Sequence, residues 1–186
     1  MGAPRKLRKK YKGPQHPFNA ERFEQELKLV GVYGLRNKTE LYKIHTRLGK
    51  YRTRARSLLA LEEGSEKREH NEGLILAKLN KLGVIKADSF SIDEILNLQA
   101  EDFLERRLQT VVFRKGLART PHQARQMIVH GHIAIDGRRI NVPSYHLLSG
   151  EEELVDYSPT SPCYDPEHPV RLSLVDSVRE GEFIEE

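Results

Sequence analysis

The chain has 186 residues, 38% of them apolar and 31% charged, with a formal net charge of +4. That length accommodates one or two domains, and the composition is that of a folded, polar protein rather than a disordered one. No run approaches the roughly 18 apolar residues of a membrane span, the basic start MGAPRKLRKKYKG lacks the apolar core of a secretory signal, and Cys163, the single cysteine, excludes an intrachain disulfide and a cysteine-rich zinc site, a usage that fits a reducing cytoplasm.

Residues 1–18 carry Arg5, Lys6, Arg8, Lys9, Lys10 and Lys12 among prolines and glycines, with almost no apolar periodicity. They predict an extended basic arm that orders on a partner. Asn19 is a helix cap, followed by Phe23, Leu27 and Val30 at i, i+4 and i+7, with Gly31 as the stop. Asn37 and Glu40 form a capping-box pattern that opens a longer helix over about 38–61. Leu41, Ile44, Leu48, Tyr51, Ala55 and Leu58 make its narrow packing seam, and Lys43, Arg47, Lys50 and Arg54 repeat on another face, with Arg52 and Arg56 beside them. Up to residue 56 the chain holds 16 Lys/Arg against 4 Asp/Glu.

Residues 57–102 reverse that sign, with 5 Lys/Arg against 10 Asp/Glu. Gly64-Ser65 marks a break. Leu74, Ile75, Leu79 and Leu82 predict a helix ending at Gly83, and Ser91 with Glu94 predicts a short one bearing Ile92, Ile95 and Leu96. This stretch completes a helical domain over residues 19–102.

Residues 103–145 turn basic again, with 8 Lys/Arg against 2 Asp/Glu, and seven of the eight cations are arginine. A helix starting near Asp102 buries Leu104, Leu108, Val111 and Val112, places Arg107 and Arg114 on one side, and ends at Gly116-Leu117. Thr120-Pro121 starts a second helix over 121–130, with Thr as cap and Pro at the first helical position. Ala124, Met127 and Ile128 face inward there, and Gly131 closes the helix in left-handed conformation. His132–Ile135 alternates like a strand, Asp136-Gly137 is a type I′ turn signal, and Arg138–Val142 returns as a second strand. Leu154–Tyr157 adds a further one.

The chemistry of this module is phosphate recognition. A helix N-terminus exposes amide groups and partial positive charge, and arginine forks bind phosphate bidentately. The candidate nucleic-acid-binding residues are Arg106, Arg107, Arg114, Lys115, Arg119, Thr120, Gln123, Arg125, Gln126, His130, His132, Arg138 and Arg139, with the helix cations and basic arm named above. His122, His130 and His132 lack the further ligands of a tetrahedral metal site. No nucleotide-binding loop, nucleophile motif or paired-carboxylate pattern is present, so neither a metal, a cofactor nor an enzymatic role is expected. Charge alone leaves DNA and RNA both open. The low aromatic content of 7% argues against a single-strand stacking platform. Residues 146–186, with 2 Lys/Arg against 11 Asp/Glu, end in an acidic tail assigned to 163–186.

The pattern Gly-Leu-Ala, Thr-x-x-x-Ala-Arg, His-Gly-His-Ile-x-Ile-Asp-Gly-x-x-Ile and Pro-Ser-Tyr resembles the alpha-L RNA-binding motif, the domain named after small-subunit ribosomal protein "S four". Residues 16–61, HPFNAERFEQELKLVGVYGLRNKTELYKIHTRLGKYRTRARSLLAL, are similar to the N-terminal region of the archaeal and eukaryotic branch of that family, whose eukaryotic member is also called "S nine". The likeness covers roughly residues 1–162. It implies an α+β protein with a helical N-terminal domain and a small helix–helix–β-hairpin RNA-binding module over 103–162. It also implies a cytoplasmic structural constituent of the small ribosomal subunit, binding the 5′ domain of small-subunit ribosomal RNA at a multi-helix junction early in assembly. Neighbouring ribosomal proteins and a nearby messenger RNA are the further partners it implies, with no membrane. The zinc site of some bacterial members has no cysteine to form it here. A non-ribosomal assembly or rescue factor using the same module is the alternative.

Overall fold

A computed structural model describes residues 9–62, 64–85 and 92–172. The Asn19 side chain accepts a hydrogen bond from the Arg22 amide and opens α1 (Ala20–Val32). The expected inward face of this helix is not the buried one. Phe23 and Leu27 are 47% and 48% exposed, while Glu26 is buried and held by Arg22, Lys38 and the Tyr42 hydroxyl. Its apolar contact with the core comes from its last turn, where Leu29 and Val30 pack. It runs through Gly31, and the chain turns instead at Gly34, with φ of +56°.

Asn37 caps α2 (Lys38–Leu59) by accepting from the Glu40 amide. All six seam residues, Leu41, Ile44, Leu48, Tyr51, Ala55 and Leu58, are buried. The helix ends two residues before the expected stop, leaving Leu59 and Leu61 exposed. α3 (Glu66–Lys81) starts within the polar stretch after Ser65. It buries Ile75, Leu76 and Leu79, leaving Leu74 exposed, and Gly83 follows it with φ of +64°. α4 (Ile92–Asn97) buries Ile92 and Ile95; the expected cap Ser91 lies outside the described residues.

The helix expected from Asp102 to Gly116 is two helices, α5 (Ala100–Glu105) and α6 (Leu108–Arg114). The interruption has a tertiary cause. Segment 143–147 returns alongside residues 106–109, so the Leu108 amide donates to the Tyr145 carbonyl (2.8 Å) and the Leu147 amide to the Arg106 carbonyl (3.0 Å). Arg107 and His146 form an isolated antiparallel bridge at the same point. The break also divides the expected seam. Leu104 joins Phe103, Leu41, Leu79 and Ile95 in a first core, whereas Leu108, Val111 and Val112 belong to a second.

That second core is completed by α7 (Pro121–His130) and a three-stranded antiparallel sheet of order β2-β1-β3. Thr120 caps α7 by accepting from the Gln123 amide, and Gly131 closes it in left-handed conformation. There the Gly131 amide donates to Ile128 and the His132 amide to Met127. β1 (Ile133–Ile135) pairs with β2 (Arg138–Arg139) through a turn in which Asp136 and Gly137 both have positive φ, and with β3 (Val155–Tyr157) on its other edge. β2 is shorter than expected. β1 is buried at all three positions rather than alternating, being the central strand. Cys163, within the segment assigned to the tail, is buried in this core, and Arg171 lies over the Tyr157 ring.

Candidate nucleic-acid interface

The seam of α2 faces the first core, so its other face is free to carry charge. Lys43, Arg47, Lys50 and Arg54 are exposed there, as is Arg56, and none has a carboxylate partner among the described residues. Arg52 is different: it is half-buried, and its guanidinium donates to the Leu98 carbonyl. The described part of the arm lies against the same helix. The Lys12 amide donates to Thr46 Oγ1 (3.0 Å), Tyr11 stacks on Tyr42 with centroids 6.3 Å apart, and Lys9 Nζ sits 4.5 Å above the Tyr11 ring. Lys9, Lys10 and Lys12 thereby join Lys43, Arg47 and Lys50 around one open groove of about 720 Å³. Arg5, Lys6 and Arg8 lie outside the described residues.

In the module the arginines divide. Arg119, Arg138 and Arg139 are exposed, as are Thr120, Gln126 and His130, whereas Gln123 is half-buried. Arg114 is exposed but pairs with Glu105 at 3.0 Å, and Lys115 donates to the Glu153 and Val155 carbonyls. His132 Nδ1 is 2.8 Å from Ser161 Oγ, and its ring stacks on His130. Arg106 is directed inward, donating to the Leu82 and Leu148 carbonyls and pairing with Glu152. Arg107 and Arg114 do not share a side, because the break after Glu105 turns Arg107 into the interior.

At 2% exposure, Arg107 is a buried cation. Its Nη2 is 2.9 Å from Glu40 Oε2, while Arg125 Nη2 is 2.6 Å from Glu40 Oε1. Burial alone would raise the Glu40 pKa, but the hydrogen bonds from Arg125 and Arg107, with their charges, carry it below the usual carboxylate value. Gln109 completes this junction. Its amide nitrogen donates to the Gly34 carbonyl (2.8 Å) and the Pro121 carbonyl (2.9 Å), and its oxygen accepts from Arg125. At this junction one carboxylate, two guanidiniums and one carboxamide tie the helical unit to the module, in addition to the Arg106 contact with the Leu82 carbonyl.

Sequence reading missed Gln109 and His146 and saw Glu40 only as a capping residue. The Glu40 backbone does meet the Asn37 cap, but its carboxylate reaches the module. One signal for it existed: Glu40 is the only acidic residue between Glu26 and Glu62, in the most basic part of the chain. Among the described residues, no group of three or more His, Cys, Asp or Glu side chains is placed to hold a metal ion, and no helix is long and apolar enough to cross a membrane.

Residues 106–153 match the S4 domain family. The chain is 59% identical over 162 residues to small ribosomal subunit protein uS4 of Hyperthermus butylicus, covering 87% of this chain and 90% of that one. The uS4 protein of Sulfurisphaera tokodaii is 52% identical over the same shares. That of Methanococcus aeolicus is 46% identical over 98% of this chain and all of its own length, a match that takes in the C-terminal segment. With identity of this level across nearly the whole length of its relatives, and an S4 domain where the two-helix and hairpin module lies, the chain belongs to the uS4 family of small ribosomal subunit proteins.

Proposed function

We propose that this protein is a structural constituent of the small ribosomal subunit, in the cytoplasm, and that it binds small-subunit ribosomal RNA. In this reading it engages the 5′ domain at a multi-helix junction early in assembly, contacts neighbouring ribosomal proteins and helps to form the messenger-RNA entry region. Its role is architectural rather than catalytic. The observation that carries the reading is the α2 groove, where Lys9, Lys10, Lys12, Lys43, Arg47 and Lys50 converge. Six cations around one open groove favour a polyphosphate backbone over a compact ligand. The exposed Arg119, Arg138 and Arg139 extend the contact from the module, and the chain fits recognition of folded RNA by shape and phosphate.

The test is binding of the purified chain to a 5′-domain ribosomal RNA transcript and to an unrelated structured RNA of equal length, at near-physiological salt. A preference of about a hundredfold or more is expected; specific nucleic-acid binding exceeds non-specific binding by roughly a thousandfold upward. If roughly 6–8 phosphates are neutralised, log affinity falls against log salt with a slope on the order of −4 to −7. A slope shallower than about −2 overturns the electrostatic picture. Equal affinity for the two RNAs favours an assembly or rescue factor instead.

A further inference from the structure

Between α2 and the returning segment 143–147 lies a cavity of about 160 Å³, lined by Glu40, Lys43, Arg47, Arg107, Ser144 and His146. We propose that it is a seat for a single phosphate group, filled in the RNA complex by one backbone phosphate that bridges the helical unit and the module. This rests on the RNA-binding reading above and names one of its contact points.

Size restricts the occupant. The cavity is below the roughly 300 Å³ at which small-molecule pockets begin, and well above the roughly 10–15 Å³ that one water needs. A tetrahedral oxyanion fits this range, and a nucleobase with its sugar does not. Charge restricts it further. Lys43, Arg47 and Arg107 line the space, Arg125 stands behind Glu40, and Glu40 is the one carboxylate facing it. Both Glu40 oxygens already accept from guanidiniums, so the cavity keeps an excess of positive charge.

Unpartnered polar atoms point the same way. Arg107 Nε is buried without a hydrogen-bond partner, as is His146 Nδ1, and both residues line this cavity. A guanidinium N–H can only donate, and leaving one buried and unpaired is costly. A phosphate oxygen is the acceptor that this environment lacks. Ser144 supplies a hydroxyl at the rim, while Lys43 and Arg47 project from the exposed side of α2.

His146 sits in surroundings suited to an anion, desolvated and beside two guanidiniums. Burial, then the charges of Arg47 and Arg107, push its pKa down to about 4, against a backbone hydrogen bond at Phe103. A bound phosphate supplies the missing negative charge, so the ring takes up a proton and donates through Nδ1. Occupation of the seat and protonation of His146 are thus coupled.

The full chain should be titrated with inorganic phosphate, with chloride at matched ionic strength as control, following the His146 ring by NMR. Phosphate should raise the His146 pKa by about one unit or more. Arg47→Gln should weaken phosphate binding about tenfold, the scale of one charge-assisted hydrogen bond, while Lys28→Gln, on the exposed side of α1, leaves it unchanged. Circular dichroism verifies that both variants fold. An unmoved His146 titration, or equal weakening by the two substitutions, overturns the seat. The RNA arm separates the sources: Arg47→Gln should reduce the salt slope for 5′-domain RNA by about 1. An unchanged slope with retained phosphate binding assigns the seat to free phosphate and overturns the bridging role. Loss of RNA preference in the unaltered chain counts against the ribosomal reading, not against a seat that still shifts His146.

Discussion

Removing the Glu40 carboxylate is the sharpest test of how the two cores are joined. In Glu40→Ala, Arg107 stays 2% exposed with its counter-charge gone, and Arg125 is left beside a like charge. Breaking a buried ion pair by deleting one partner costs about 3–5 kcal/mol, because the remaining charge stays desolvated. Glu40 itself is 17% exposed, which places the expectation near the low end, about 3 kcal/mol. Against a total stability of roughly 5–15 kcal/mol this is a large fraction. Urea unfolding at pH 7, followed by far-ultraviolet circular dichroism, should show the midpoint falling by about 1 M or more at ordinary slopes. Arg114→Ala is the control. It breaks the Arg114–Glu105 pair, whose side chains are 60% and 41% exposed, and should cost no more than about 1 kcal/mol. Replacing the carboxylate and both cations together with apolar residues of similar volume should recover much of the loss. If Glu40→Ala costs less than about 1 kcal/mol, Arg107 has found water or another acceptor, and the carboxylate does not hold the junction.

Two further outcomes follow from the same geometry. The His146 pKa is about 4 in the folded chain and near 6.5 when unfolded, so the unfolded state binds the extra proton between those values. Stability is therefore complete above about pH 6.5 and falls as pH drops towards 4, by on the order of 3 kcal/mol, and the lowered pKa of His45 on the exposed side of α2 acts in the same direction. Urea midpoints from pH 7 to 4 should fall less steeply in His146→Gln, and parallel curves would refute the assignment. Gly34→Ala should destabilise by more than about 1 kcal/mol, since φ is +56° and a new Cβ would lie 2.6 Å from Pro121 Cβ. Gly73→Ala, in the middle of α3 with open space around it, should stabilise by about 0.5–1 kcal/mol. Thermal melts that move both variants the same way would contradict this contrast.

What was legible in the sequence is what short-range physics decides. The α2 seam repeats over the length of the helix, so its six buried positions follow from spacing alone. Thr120-Pro121 and Gly131 bound α7 through local backbone preferences, and Asp136-Gly137 forces the hairpin turn for the same reason. The exceptions are tertiary. Nothing near Arg106 and Arg107 breaks a helix, and the interruption comes from a segment some 40 residues later whose carbonyls capture the α6 amides. The buried face of α1 was misread because Glu26, a residue that ordinarily stays exposed, is drawn inward by Arg22, Lys38 and Tyr42.

The distribution of arginines carries the same lesson into function. Residues 103–145 have the composition of a phosphate-binding module, and bidentate forks suit phosphate. Yet Arg106, Arg107, Arg114 and Arg125 all meet carboxylates of the chain itself: Glu152, Glu40, Glu105 and Glu40 again. Two of those pairs reach back to α2, and one reaches forward into the acidic C-terminal block. The alternation of basic and acidic segments is therefore partly cancelled in space, and the module's surface charge is lower than its sequence charge. Most of the uncancelled charge lies on α2 and the arm, where Lys43, Arg47, Lys50 and Arg54 have no carboxylate partner among the described residues. The same fork geometry that would grip a phosphate grips a carboxylate when one is fixed nearby. Arg107 and Arg125 of the module thus build the joint, and the cations left without a carboxylate are Arg119, Arg138 and Arg139 on the module and the larger group on the helical unit beside it.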